Sequence, residues 1–148
     1  EWKISEGGNS GIFYRGVEQP QLDAIYKSAP EMQVLDNDRH PDAKMGVGGN
    51  RTAGALYDLI PPRLQNARPV GDWNHIEIRI EDGNIQHHQN GEMILEYQLG
   101  TQRWRQLVEG SKFPDLNPTW VDVPTRGFIG LQDHGDSVWY RSIKIKEL

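Results

Sequence analysis

The chain has 148 residues, no cysteine, and 16 basic against 21 acidic side chains, for a net charge of −5. That length fits one domain with a sizeable core. The composition excludes disulfides, thiolate metal sites and a cysteine nucleophile, and the acidic balance argues against a nucleic-acid partner.

The first strands are predicted at Trp2–Ile4, Gly11–Arg15 and Glu31–Leu35. In the third, Met32 and Val34 share one face, and Glu31, Gln33 and Leu35 share the other. If Met32 and Val34 face the core, Glu31 and Gln33 point away from it. Residues 37–52, 61–71 and 113–124 are rich in Pro, Gly, Asn and Asp and read as long loops. Between the first two loops, Ala53–Leu59 reads as a further strand.

From Trp73 to Ile80 the pattern alternates, with Ile76, Ile78 and Ile80 on one face. Asp82-Gly83 is a tight-turn pair, Asn84–Gln89 a second strand, and Asn90-Gly91 a second turn. Met93, Leu95, Tyr97 and Leu99 mark one face of a third strand, completing an antiparallel meander. Thr101 caps a short helix over Gln102–Glu109, with Trp104, Leu107 and Val108 at helical spacing and Gly110 as the stop. Gly127–Asp133 and Val138–Lys146 read as the last strands. Trp139, Arg141, Ile143 and Ile145 share one side of the final one. No apolar run approaches the roughly 20 residues that span a bilayer. Many short strands and one helix indicate an all-β sandwich of two antiparallel sheets, of the jelly-roll type.

Several side chains are candidates for chemistry. Glu31 beside Gln33 on a concave sheet suits sugar hydroxyls and acid–base work, though a solvated strand face carries the same pattern. A two-carboxylate glycosidase needs a second acid about 5–5.5 Å away if retaining, or about 6.5–9.5 Å if inverting. Gln33 is not an acid and Asp36 has the opposite parity, so a partner must come from elsewhere, such as Asp133. Gln132 and His134 end a strand where they can enter the same groove, and His134 is a candidate general acid or base. Arg15 is a candidate ligand clamp. Arg141 resembles it, with a parity that suggests a half-buried structural role. His87 and His88 point to opposite strand faces and cannot share a metal without a bulge. The acids at 36, 38 and 42 crowd one loop without EF-hand spacing. Trp120, in a Pro-rich loop, is the best candidate among the tryptophans for a stacking platform.

Six segments carry a resemblance when taken in order. They are Gly8–Arg15, Glu31–Asp36, Gly54–Pro62, Trp73-Asn74, Ile85–His87 with Asn90-Gly91, and Gly130–Gly135 followed by Val138–Arg141. Together they resemble the 3-keto-disaccharide hydrolase domain family along essentially the whole chain. The resemblance implies a concanavalin-like jelly roll. It implies export to the periplasm or cell surface of glycan-degrading bacteria, and a partner oxidoreductase that first oxidises the sugar at C3. Family members carry a further stretch ahead of the segment matching Glu1. The expectation is therefore a single jelly-roll domain over residues 1–148 that lacks that N-terminal segment.

A ketone at C3 acidifies the proton at C2, so one base can start an elimination that expels the C1 oxygen, and water then adds back. Glu31 and His134 are the candidate base and acid in either order. Arg15, Gln33, Gln132 and Tyr57 are candidates to hold the keto oxygen or hydroxyls, and a divalent cation is a further candidate for polarising the ketone. An ordinary glycosidase and a non-catalytic carbohydrate-binding module on the same fold remain alternatives.

Overall fold

The structure is a computed structural model and describes residues 1–147. Eight strands run in chain order: β1 (Trp2–Ile4), β2 (Asn9–Gly16), β3 (Glu31–Leu35), β4 (Ile76–Glu81), β5 (Asn84–Gln89), β6 (Glu92–Gln98), β7 (Phe128–Leu131) and β8 (Val138–Tyr140). Two helices, α1 (Gln102–Glu109) and α2 (Phe113–Leu116), lie between β6 and β7. Two short 3-10 turns cover Ile25–Lys27 and Pro41–Lys44.

All pairings are antiparallel. β3-β2-β7 form one sheet, β4-β5-β6 another, and β1 pairs with β8. The backbones of Trp2 and Asn74 exchange hydrogen bonds of 2.9 and 2.8 Å, tying β1 to the chain that enters β4. The three hydrogen-bonded groups thus make the two layers of an all-β sandwich. Its core takes Ile12, Tyr14, Met32 and Val34 from one layer and Ile85, Ile94, Leu95 and Tyr97 from the other, with Trp2 and Ile4. Each large apolar side chain buried there contributes about 1.5–3 kcal/mol.

A polar chain crosses this core. Carbonyls only accept, so His87 Nδ1 donates to the Gly54 carbonyl oxygen at 3.0 Å. Nε2 is then the acceptor, and the Tyr14 hydroxyl donates to it at 2.7 Å. Tyr97 in turn donates to the Tyr14 oxygen at 2.8 Å. Burial holds the His87 imidazole neutral and lowers its pKa to about 4.

The meander forms as its pattern predicts. Asp82, Gly83, Asn90 and Gly91 all have positive φ, as two-residue hairpin turns require. One strand face differs. The β5–β6 ladder slips between His87 and His88, so Ile94 joins Leu95 and Tyr97 inside while Met93 is exposed. α1 forms under its expected cap, with the Trp104 amide donating to Thr101 Oγ1 at 3.1 Å.

Three other expectations are corrected. Ala53–Leu59 is not a strand: its backbone meets β3 through the Met32–Leu56 bridge, then folds on itself through Leu56–Ile60, with Gly54 and Asp58 at positive φ. The 113–124 loop contains α2. The final strand is only Val138–Tyr140, because β8 pairs with β1 over three residues and finds no further partner strand among the described residues. Phe128, Ile129, Leu131, Trp139, Ile143 and Ile145 consequently stay exposed. No described helix is long and apolar enough to cross a membrane.

Candidate functional site

The outward face of the β2–β3 pair floors a groove of about 640 Å³. That volume lies within the range of small-molecule sites. Gly11 pairs with Gln33 and Phe13 with Glu31, so alternation aims Asn9, Phe13, Glu31 and Gln33 into the groove while Ile12, Tyr14, Met32 and Val34 enter the core. The walls come from distant segments: Ala24–Tyr26, Asp42, Tyr57, Lys112 with Phe113, and Leu131–His134.

Glu31 lies flat across its neighbouring strand. A Cβ on Gly11 would collide with the Glu31 carboxyl, so the missing side chain at 11 is what gives the carboxyl its place. Glu31 is only 7% exposed. Burial pushes its pKa up to about 8; the charge of Lys112 opposes that shift and the Asp42 carboxylate adds to it. Beside it, Gln33 is 1% exposed. Its Nε2 donates to the Arg51 carbonyl at 3.4 Å, and its Oε1 has no partner. Asn9 Oδ1 is likewise buried and unpartnered.

One wall is a charged network. The Arg51 guanidinium donates to Asp58 at 2.6 Å and to Asp42 at 3.0 Å. Lys112 Nζ donates to the Tyr57 hydroxyl at 3.3 Å and sits 4.5 Å from the centre of the Tyr57 ring. Burial, followed by the nearby Asp42 carboxylate, raises the Tyr57 phenol well above its ordinary value and keeps it protonated. The Tyr57 backbone amide donates to the Glu31 carbonyl at 3.0 Å, which fixes this wall against the floor.

The opposite wall leads to the rim. The Gln132 amide donates to the Gly11 carbonyl at 2.9 Å, and the Gln132 carbonyl accepts from Ser10 Oγ at 2.7 Å. His134 is exposed at the lip, with its ring edge-on to His40 at a centroid distance of 6.4 Å. His40 is fixed from behind, since its Nδ1 accepts from the Asp42 amide at 3.1 Å.

The structure therefore brings Glu31, Gln33, Tyr57, Gln132 and His134 to one groove. Trp120 is corrected: it is 2% exposed, stacked on Phe113 at 4.0 Å and on Trp104 at 5.8 Å, with its Nε1–H donating to the Tyr26 carbonyl. It backs the wall that Phe113 presents and cannot meet a sugar face. Arg15 is corrected too. The β2–β7 ladder shifts between Phe13 and Gly16, Arg15 takes φ 56, and its side chain is not among the groove lining. Arg141 is exposed, bonded to Glu1 at 2.7 Å and 3.9 Å from the Trp73 ring centre, rather than half-buried.

The 36–42 acids are engaged separately. Asp36 accepts from the amides of Gly7, Asp38 and Arg39, while Asp42 binds Arg51. Among the described residues no group of three or more His, Asp or Glu side chains is placed to hold a metal ion. A second depression of about 410 Å³ lies along β7 and β8, from Leu131 to Tyr140. It holds neither the buried carboxyl nor the cationic wall.

Sequence reasoning missed Asn9, Lys112 and Phe113. Phe113 opens α2 where a loop is expected, Lys112 lies just ahead of it, and nothing in a one-dimensional pattern separates a groove lysine from a surface one.

The whole chain matches known proteins. The description 3-keto-alpha-glucoside-1,2-lyase-like domain matches residues 1–146. A curated 3-keto-disaccharide hydrolase of Bacteroides thetaiotaomicron (strain ATCC 29148) is 48% identical over the full chain, which spans 57% of that protein's length. Two crystal structures of proteins from Parabacteroides distasonis ATCC 8503, described as candidate glycosyl hydrolases, share the fold. One aligns with a TM-score of 0.82 at 30% identity, covering 93% of this chain and 62% of that one. The other aligns with a TM-score of 0.75 at 29% identity, covering 99% and 75%. The order of motifs, the groove and these likenesses agree, and the chain belongs to the 3-keto-alpha-glucoside-1,2-lyase-like domain family.

Proposed function

We propose that this chain cleaves 3-keto-glycosides by elimination and rehydration, with Glu31 as base and His134 as acid. The observation that carries this is the Glu31 carboxyl, buried on the groove floor with its pKa at about 8. A carboxylate can remove a proton from carbon beside a ketone, and desolvation makes Glu31 a stronger base for that step. The lyase-like description of the family and the hydrolase name of the Bacteroides relative support the same chemistry.

In the first step Glu31 takes the C2 proton and the electron pair moves to the C3 oxygen as an enolate. The enolate collapses, the C1–O bond breaks, and His134 gives a proton to the departing oxygen. A 2-hydroxy-3-keto-glycal remains. Water then adds its oxygen to C1, His134 recovers a proton from it, and Glu31 returns its proton to C2. The sum is hydrolysis. The exposed position of His134 suits a leaving group that departs to solvent. The scheme requires an oxidoreductase elsewhere that makes the ketone, and export of the protein is part of the same proposal.

The test is a paired assay on an aryl glucoside and its 3-keto derivative, each with and without chelator. Cleavage of the keto compound alone is expected, with a loss of roughly 10²-fold or more in Glu31→Gln. Equal cleavage of the plain glucoside would overturn the elimination scheme in favour of an ordinary glycosidase. Sugar binding without cleavage of either would make the domain a binding module.

A further inference from the structure

The polar groups of the groove are sorted by hydrogen-bonding sense. On the floor, Gln33 Oε1 and Asn9 Oδ1 are buried acceptors with no partner. The Gln33 amide is oriented by its Nε2–H bond to the Arg51 carbonyl, since the flipped amide would set oxygen against oxygen. Buried acceptors left unmatched are costly, so this floor calls for donors from a ligand. Sugar hydroxyls can donate. A ketone oxygen only accepts, and it would be repelled there.

The wall of Tyr57 and Lys112 offers the reverse. Lys112 is the only Lys or Arg among the described residues that line the groove. Its ammonium carries three donors and Tyr57 takes one. The ring of Tyr57 at 4.5 Å and the Asp58 carboxylate at 3.9 Å hold the head group at this wall. The apolar side chains of Phe113, Leu116 and Ile25 line the same groove and strengthen a charge interaction inside it.

We infer that Lys112 receives the carbonyl oxygen of the 3-keto sugar and stabilises the enolate formed there, while Asn9 and Gln33 take the sugar's hydroxyl donors. This rests on the reaction proposed above and fixes the orientation of its substrate. When Glu31 removes the C2 proton, negative charge grows on the C3 oxygen, opposite the Lys112 ammonium. A fixed donor at developing charge stabilises the transition state more than the ground state. The carboxylates of Asp42 and Asp133 also line the groove, so an anionic sugar is disfavoured and the substrate is a neutral glycoside.

The test separates this from the reaction itself. A 3-keto sugar without a leaving group at C1 is incubated in D2O, and exchange of the C2 proton is followed by NMR beside cleavage of an aryl 3-keto-glucoside. Lys112→Met is expected to slow both by about 10²-fold or more, as loss of one oxyanion donor does. Lys112→Arg should restore part of each rate. Gln33→Ala should weaken binding of keto and plain sugars alike, raising the KM of exchange more than it lowers the saturated rate. If Lys112→Met exchanges and cleaves within threefold of the wild type, the Lys112 role is overturned and the reaction stands. If Gln33→Ala lowers saturated exchange as much as Lys112→Met does, the division between floor and wall is overturned. If the wild type neither exchanges nor cleaves, the reaction fails and this role fails with it.

Discussion

Replacing Glu31 by Gln should stabilise the protein at alkaline pH while removing its activity. The folded chain holds the Glu31 proton up to about pH 8, against an ordinary value of 4.5. The unfolded chain releases that proton above its ordinary pKa. A carboxyl whose pKa is raised by folding leaves stability intact below 4.5 and removes it as pH rises towards 8. At about 1.4 kcal/mol per pKa unit the full penalty is about 5 kcal/mol, an upper bound because water drawn to the ionised group relieves part of it. An amide of the same shape carries no such penalty. Urea unfolding from pH 4 to 9 should therefore show the variant gaining on the wild type by up to about 1.4 kcal/mol per pH unit, then levelling near pH 8. A difference that stays constant across this range would refute the buried, protonated carboxyl. The same ionisation should appear where only the base acts: C2-proton exchange of a 3-keto sugar without a leaving group should rise with pH to a plateau above about 8. An exchange rate that falls through that region would remove Glu31 from the role of base.

Three further outcomes follow from neighbouring contacts. Gly11→Ala puts a methyl where the Glu31 carboxyl lies; circular dichroism should stay native while kcat/KM falls by about 10²-fold, and an unchanged rate would show that the carboxyl acts from another position. Trp120→Ala should cost about 3–5 kcal/mol in denaturant unfolding, because the ring is packed between Phe113 and Trp104. An unchanged midpoint with lost sugar affinity would return Trp120 to the role of a stacking platform. His87 has its pKa lowered to about 4 against 6.5, so its contribution is intact above 6.5 and is lost as pH falls towards 4. The acid limb of stability from this residue should reach about 3 kcal/mol and be absent from His87→Asn, as read by unfolding at pH 7 and 4.5.

What the sequence could show tracks the range over which each feature is determined. The meander is local: alternating isoleucines, Asp82-Gly83 and Asn90-Gly91 fix strands and turns within a few residues. The floor is nearly local, because the parity of Glu31 and Gln33 follows once Met32 and Val34 are assigned to the core. Parity fails where the ladder slips, as at Arg15 and Met93, and a bulge leaves little mark in composition. Trp120 was misread for a related reason. A tryptophan amid prolines looks exposed until tertiary packing supplies Phe113, Trp104 and the Tyr26 carbonyl. Lys112 was invisible because its partner Tyr57 lies 55 residues away.

The choice between one acid and two turns on where the other carboxylates are spent. Asp42 lines the groove, but Arg51 holds it at 3.0 Å and couples it to Asp58 through the same guanidinium. That charge-assisted bond engages the Asp42 carboxylate within the wall network rather than leaving it free to meet a substrate. Asp133 is at the exposed rim, where its Oδ1 accepts the Gly135 amide at 3.0 Å. Glu31 is buried on the floor, and desolvation leaves it proton-bearing at neutral pH. A lone desolvated carboxyl is poorly matched to forming an oxocarbenium ion, which draws on an ionised carboxylate as well as an acid. It is well matched to moving a proton on and off carbon beside a carbonyl, provided a fixed cation receives the displaced charge. Lys112 is that cation, and Gly11 is the vacancy that lets Glu31 lie across the sheet.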